Sequence, residues 1–147
     1  MQSQTILVVD DETGALDFCC AVLSGQGYRT LRAAGGREAL EVHASEAPID
    51  LALVDVVMPG MSGIDLVKRL EAHETPPRIA LISGYTQDEV ERLIGAEGSR
   101  YRIFWKPFEI GVFLQMIRNV LDTPQREAAF SAGRWTNTRG WHSVRAT

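Results

Sequence analysis

Four short apolar runs along the chain end in the same way, with a polar side chain followed by a break. ILVVDD at 6–11 ends in two acids, and LALVDVVMPGMSG at 51–63 delivers one carboxylate before breaking into Pro and Gly. IALISG at 79–84 ends in a hydroxyl, and YRIFWKPF at 101–108 ends in a lysine followed by proline. A fifth run, YRTLRA at 28–33, is more polar. Between the runs, apolar residues recur at helical spacing, and this alternation predicts strands over about 4–10, 28–33, 50–55, 78–83 and 101–105. Helices are expected over roughly 13–25, 36–46, 63–73, 87–96 and 109–121. Leu16, Cys19 and Leu23 should line the inner face of the first, and Phe113, Met116, Ile117, Val120 and Leu121 that of the last. Ser62 with Asp65 three residues on reads as a capping box, and Gly25 and Gly27 close the first helix.

Near-continuous hydrophobicity in the first, third and fourth strands implies burial on both faces, and the polar second strand belongs at an edge. Strands alternating with helices give an α/β fold with a parallel sheet. Right-handed crossovers leave few topologies for five such units, of which a flavodoxin-like (βα)5 doubly wound sheet in order 2-1-3-4-5 is the expectation. A chain of 147 residues is long enough to bury one core without disulfide or metal staples.

Composition narrows the setting. With 45% hydrophobic and 23% charged residues the chain is globular in character, and no apolar run approaches the roughly 20 residues needed to span a bilayer. The first residues, MQSQTILVV, lack a basic segment and long apolar stretch, so a cytoplasmic location is expected. Cys19 and Cys20 are adjacent, cannot pair without strain, and read as small apolar residues in a reducing compartment. Residues 1–122 carry 11 basic and 18 acidic groups, and 123–147 carry 4 and 1. The core therefore has no basic face to suggest nucleic acid.

In open parallel sheets, sites form beyond the carboxyl ends of the strands where strand order reverses, which in order 2-1-3-4-5 lies between the first and third strands. Asp10 and Asp11 leave one and Asp55 the other, so three carboxylates should converge. Left alone they repel; a hard divalent cation resolves the conflict, and Mg2+ suits a site with few carboxylates and several waters. Ser83 and Lys106, at neighbouring strand ends, suit a phosphoryl group with charge on three oxygens. A carboxylate facing metal, lysine and hydroxyl is arranged to accept a phosphoryl group as an aspartyl phosphate. Asp55, alone after the central strand, is the expected acceptor, with Asp10 and Asp11 on the metal.

ILVVDDE, LVDVVMPGMSG, LISGY and FWKPF, in this order and spacing, resemble the receiver domain of two-component response regulators, over about residues 4–122. The SGYT wording is similar to receivers fused to hybrid histidine kinases. The resemblance implies Asp55 as phosphoacceptor, Asp10 and Asp11 as the acidic metal site, the Val57 carbonyl as a metal ligand, Ser83 as the switch hydroxyl and Lys106 as a phosphate contact. It also implies a cis peptide before Pro107. One position departs from the family: an aromatic usually stands three before the lysine, and here it is Ile103, while Phe104 beside it faces the other side of the strand. The switch is therefore expected to be muted or rerouted. Val57 and Tyr85, two residues after the acceptor and the hydroxyl, are placed to control hydrolysis, and neither is well suited to orient a water.

The expected function is phosphorelay signalling: a single-domain regulator, not an enzyme, loaded on Asp55 by a histidine kinase or histidine phosphotransfer protein in a Mg2+-dependent reaction. Its reader would be a downstream protein at helix 4, strand 5 and helix 5, a face also open to a homodimer; the donor would dock beside helix 1. A detached receiver of a hybrid kinase is one alternative. A Mg2+-dependent phosphatase with an aspartyl intermediate is another, although the short connections offer no cap for a substrate. His43 and His73, on predicted helices without companion ligands, read as surface residues. Residues 123–147 form a short basic tail, expected to be disordered or helical near 125–132, and too short for an output domain.

Overall fold

Each apolar run closes where its polar tip reaches the end of a strand. In the computed structural model, which describes residues 3–95, 100–123, 134–136 and 144–146, these runs become β1 (Thr5–Val9), β3 (Leu51–Asp55), β4 (Arg78–Ser83) and β5 (Arg102–Trp105), with β2 (Arg29–Ala33). The helices are α1 (Thr13–Gly25), α2 (Gly36–Glu46), α3 (Gly63–Glu71), α4 (Gln87–Ile94) and α5 (Ile110–Asp122). The five strands form one parallel sheet in the order β2-β1-β3-β4-β5. The chain packs as two compact units, residues 1–79 and 80–147, with the border inside β4.

In the first unit, β1 and β3 are buried along their whole length, as strands covered on both faces must be. Asp50 sets their starting register: its carboxylate accepts the Thr5 N–H at 2.7 Å, its own N–H reaches the Thr5 carbonyl, and its carbonyl accepts the Arg78 N–H at 3.0 Å. β2 lies at the sheet edge, and Arg29 and Arg32 pair there with Glu46 and Asp17. Charges of this kind discourage edge-to-edge pairing with another sheet. Leu16, Cys19 and Leu23 are the buried residues of α1, as its period requires. The helix ends where Gly27 takes φ +93° and donates to the Ser24 carbonyl, a conformation that side chains resist. Among the described residues neither Cys19 nor Cys20 forms a disulfide.

In the second unit, β4 and β5 pair with Leu81 opposite Ile103 and Ser83 opposite Trp105. Phe113, Met116, Ile117, Val120 and Leu121 of α5 are buried, each fully buried side chain of this size contributing about 1.5–3 kcal/mol. The reciprocal capping box forms here, at Thr86 and Glu89, whose longer side chain reaches back to the cap N–H, whereas at α3 in the first unit the Ser62 hydroxyl accepts the Asp65 N–H. In the tail, β6 (Arg134–Thr136) and β7 (Val144–Ala146) pair antiparallel. These six residues include aromatic and β-branched types, which favour extended backbone. The helical extension expected near 125–132 lies outside the described residues.

His43 corrects the sequence reading. It is 2% exposed, on the inner face of α2 with Gly36 and Ala39, and meets the ring of His73 edge-on with centroids 4.4 Å apart. Neither of its ring nitrogens has a hydrogen-bond partner among the described residues. His73 is exposed, as expected. Burial, and then the charge that His73 carries when protonated, hold the His43 pKa below its ordinary 6.5. The unfolded chain therefore binds more protons than the folded one once the pH drops below about 6.5. The stabilising contribution of neutral His43 is complete above that pH and is lost as the pH falls through the lowered folded-state value. Thermal unfolding of the native protein should accordingly fall more between about pH 7.5 and about pH 5.5 than that of His43→Leu. Equal falls in the two proteins would show that His43 carries no such linkage.

Candidate functional site

Strand ends bring the three acids together within the first unit. Oxygens of Asp10, Asp11 and Asp55 lie within 4.8 Å of one another, Asp10 and Asp55 buried and Asp11 exposed. Asp10 and Asp55 are each held from the following loop: the Glu12 N–H donates to Asp10 Oδ1 at 2.9 Å, and the Val57 N–H to Asp55 Oδ1 at 3.2 Å. An all-oxygen set with two buried members fits a hard cation with an open, water-accessible side at Asp11, and does not suit a soft metal. Val57, whose carbonyl is the expected fourth ligand, is half-buried in the loop after β3.

That loop is shaped by two glycines whose role was not legible in the chain. The Gly63 N–H donates to the Val56 carbonyl at 3.0 Å, and a Cβ at 63 would stand 2.2 Å from the Asp55 carbonyl oxygen and 2.9 Å from Val56 Cα. Only glycine permits this approach without moving the backbone that carries Asp55. A Cβ at Gly36, in the first turn of α2, would meet Met61 Sδ at 2.7 Å, so Met61 ties the same loop to α2. In the sequence, Gly63 reads only as a turn and cap residue.

In the second unit, Ser83 and Lys106 leave the ends of adjacent strands, and the Lys106 N–H donates to the Ser83 carbonyl at 2.8 Å. Ser83 is buried, with its hydroxyl accepting the Tyr85 N–H at 3.0 Å; Tyr85 itself is 44% exposed. Lys106 Cδ lies 3.7 Å from the place a Cβ would take on Gly84, so that glycine leaves the lysine its path. The Lys106–Pro107 peptide is cis, as expected, and so is Ala47–Pro48, which nothing in the sequence reading flagged. Ile103 is fully buried, as are Phe104 and nearly all of Trp105. The aliphatic residue thus occupies a closed interior position, with no hydroxyl to exchange partners.

Residues 6–118 match the response regulator receiver domain family. The chain is 32% identical over 122 residues to sporulation initiation phosphotransferase F of Bacillus subtilis (strain 168), an alignment that takes in 82% of this chain and 96% of the relative. It is 36% identical over 106 residues to the DNA-binding response regulator MtrA of Mycobacterium tuberculosis (strain ATCC 25618 / H37Rv), covering 72% of this chain but 45% of that regulator, so it spans about half of that protein's length. Among solved structures, the receiver domain from the hybrid histidine kinase CckA superposes with a TM-score of 0.67 at 30% identity, over 80% of this chain and 99% of that one. The match along most of the chain agrees with the strand order and with the acids at the ends of β1 and β3: the protein belongs to the family of response regulator receiver domains.

Proposed function

We propose that this receiver accepts a phosphoryl group on Asp55 from a phosphohistidine donor and signals through protein contacts, with residues 1–122 as the receiver and 123–147 as an appended tail. The observation that carries the reading is the cluster of Asp10, Asp11 and Asp55 within 4.8 Å at the ends of β1 and β3. In the transfer, the bond from phosphorus to the donor imidazole nitrogen breaks as a bond to an Asp55 carboxylate oxygen forms, and the imidazole nitrogen leaves with the electron pair. The Val57 N–H orients the Asp55 carboxylate, the Lys106 ammonium neutralises charge on the phosphoryl oxygens, and the Ser83 hydroxyl donates to one of them. Asp10, Asp11, Asp55 and the Val57 carbonyl would hold Mg2+, which when bound supplies positive charge against both the carboxylates and the phosphoryl oxygens.

The setting we infer is cytoplasmic; among the described residues no helix is long and apolar enough to cross a membrane. The partners would be a histidine kinase or histidine phosphotransfer protein at α1 and a protein reader at α4, β5 and α5, a face also available for a homodimer. The likeness to a receiver from a hybrid histidine kinase supports a second reading, in which the chain acts as the receiver of such a kinase. With Ile103 buried in β5, the conformational response should be centred on Ser83 and α4 rather than on β5.

Incubation with Mg2+ and a small acyl phosphate, read by intact mass, should add one phosphoryl group to the native protein and none to Asp55→Asn. An equal adduct on the variant would place the acceptor elsewhere. Asp11→Asn should weaken Mg2+ binding by about tenfold or more, the scale on which even outer-shell partners of a metal act; unchanged affinity on titration would remove Asp11 from the metal site.

The lifetime of the phosphorylated state depends on a water in line with the bond to Asp55. Val57 offers no hydrogen bond to such a water, and Tyr85 offers one neutral hydroxyl on a bulky ring. Self-dephosphorylation should therefore be slow, leaving signal decay to a phosphatase or to return of the group to a histidine. Decay measured in Mg2+ should be faster in the double variant Val57→Asn with Tyr85→Glu than in the native protein, and an equal or slower rate would refute this.

A further inference from the structure

The segment joining Lys106 to α5 is pinned at three successive points, and the middle one is a side chain that the proposed chemistry leaves unused. At the start, the Lys106 N–H is held by the Ser83 carbonyl at 2.8 Å. At the end, the Glu109 carboxylate caps α5, accepting the Gly111 and Val112 N–H groups at 3.2 and 2.9 Å. Between them Phe108 lies nearly flat on Phe113, with ring centroids 4.8 Å apart and planes at 23°. It also meets Phe104 edge-on at 6.4 Å, and Phe104 meets Phe113 edge-on at 5.7 Å. Phe104 and Phe113 are fully buried, one on β5 and the other on α5, while Phe108 is half-buried.

A lysine side chain has four rotatable carbons, so its ammonium is only as well placed as the backbone that launches it. The backbone of Lys106 leaves β5 with its N–H held by the Ser83 carbonyl. The next fixed side chain is Phe108, whose ring is gripped by two residues of the closed interior. Stacked and edge-on pairs resist sliding more than an aliphatic contact of equal area, because ring quadrupoles favour particular offsets.

We propose that Phe108 is a positioning residue for phosphoryl transfer: clamped between Phe113 and Phe104, it fixes the loop that launches Lys106 and thereby the place of the lysine ammonium. The clamp also makes α5 and Lys106 move together. With an aliphatic residue at 103, this gives the lysine a mechanical route to α5 that does not require a mobile aromatic on β5. The proposal rests on the reading of Lys106 as the phosphate contact.

Two measurements test it, with Phe108→Leu to remove the stack while keeping an apolar side chain, and Phe108→Tyr to restore the ring. The first is hydrogen exchange of the Lys106 amide in the unphosphorylated protein, which needs no phosphoryl chemistry. Phe108→Leu, which loses both ring contacts, should speed that exchange by about fivefold or more relative to core amides of β4, and Phe108→Tyr should return it to the native rate. Unchanged exchange at Lys106, or a rise shared by the whole protein, would overturn the proposal.

The second is the rate of phosphorylation by an acyl phosphate at saturating Mg2+, with Mg2+ affinity measured separately. Phe108→Leu should slow transfer by a similar factor without altering Mg2+ affinity, and should have no further effect in a Lys106→Ala background. An undiminished effect without the lysine would show that Phe108 does not act through Lys106. If the native protein takes up no phosphoryl group, the proposed function fails, and the exchange measurement still decides whether Phe108 fixes the Lys106 backbone.

Discussion

Like charges forced together at the ends of two buried strands are the constraint around which the first half of the protein is built. Asp10 and Asp55 are buried beside exposed Asp11, with oxygens within 4.8 Å. Such an arrangement is costly unless the carboxylates are hydrogen-bonded and a cation can join them. Both buried acids receive a backbone N–H from the loop just beyond them. The loops are therefore part of the site, because the N–H groups of Glu12 and Val57 are directed at carboxylates rather than at a neighbouring strand.

Holding the β3–α3 loop in that shape requires the backbone to pass unusually close to itself. Gly63 approaches the Asp55 carbonyl where any side chain would collide, and Met61 fills the space that the missing Cβ of Gly36 leaves at the start of α2. One glycine thus protects the geometry of Asp55, and the other couples the loop to a neighbouring helix. At the far end of α2, His43 shows a different compromise. Its ring fills core volume although neither nitrogen finds a hydrogen bond among the described residues, which is tolerable for a neutral imidazole and unfavourable for a charged one.

The second half solves a related problem with opposite charge. Lys106 must be delivered at a strand end without being buried among apolar groups, and the residues around it divide the work. Ser83 holds its backbone, Gly84 leaves room for its methylenes, and the phenylalanines on β5, α5 and the intervening loop pack against one another. The rings of this half, Phe104, Phe108 and Phe113, are gathered in this packed cluster, and Ile103 beside Phe104 on β5 is fully buried.

Most of the architecture was legible along the chain because it depends on local periodicity. Continuous apolar runs marked β1, β3 and β4, the polar pattern of YRTLRA marked β2 as an edge, and the spacing of Phe113, Met116, Ile117, Val120 and Leu121 marked the inner face of α5. The acids, hydroxyl and lysine at strand tips were equally legible, since parallel strands deliver their ends to one side of a sheet. What tertiary structure decided was which side chains from separate elements touch. His43 shares a helical face with Gly36 and Ala39, so its period hinted at burial, but its polarity argued for the surface until the ring of His73 met it. The tight approach at Gly63 and the stack of Phe108 on Phe113 depend on distances between elements that no local pattern encodes. Periodicity tells which way a residue faces; only the packed chain determines what stands opposite.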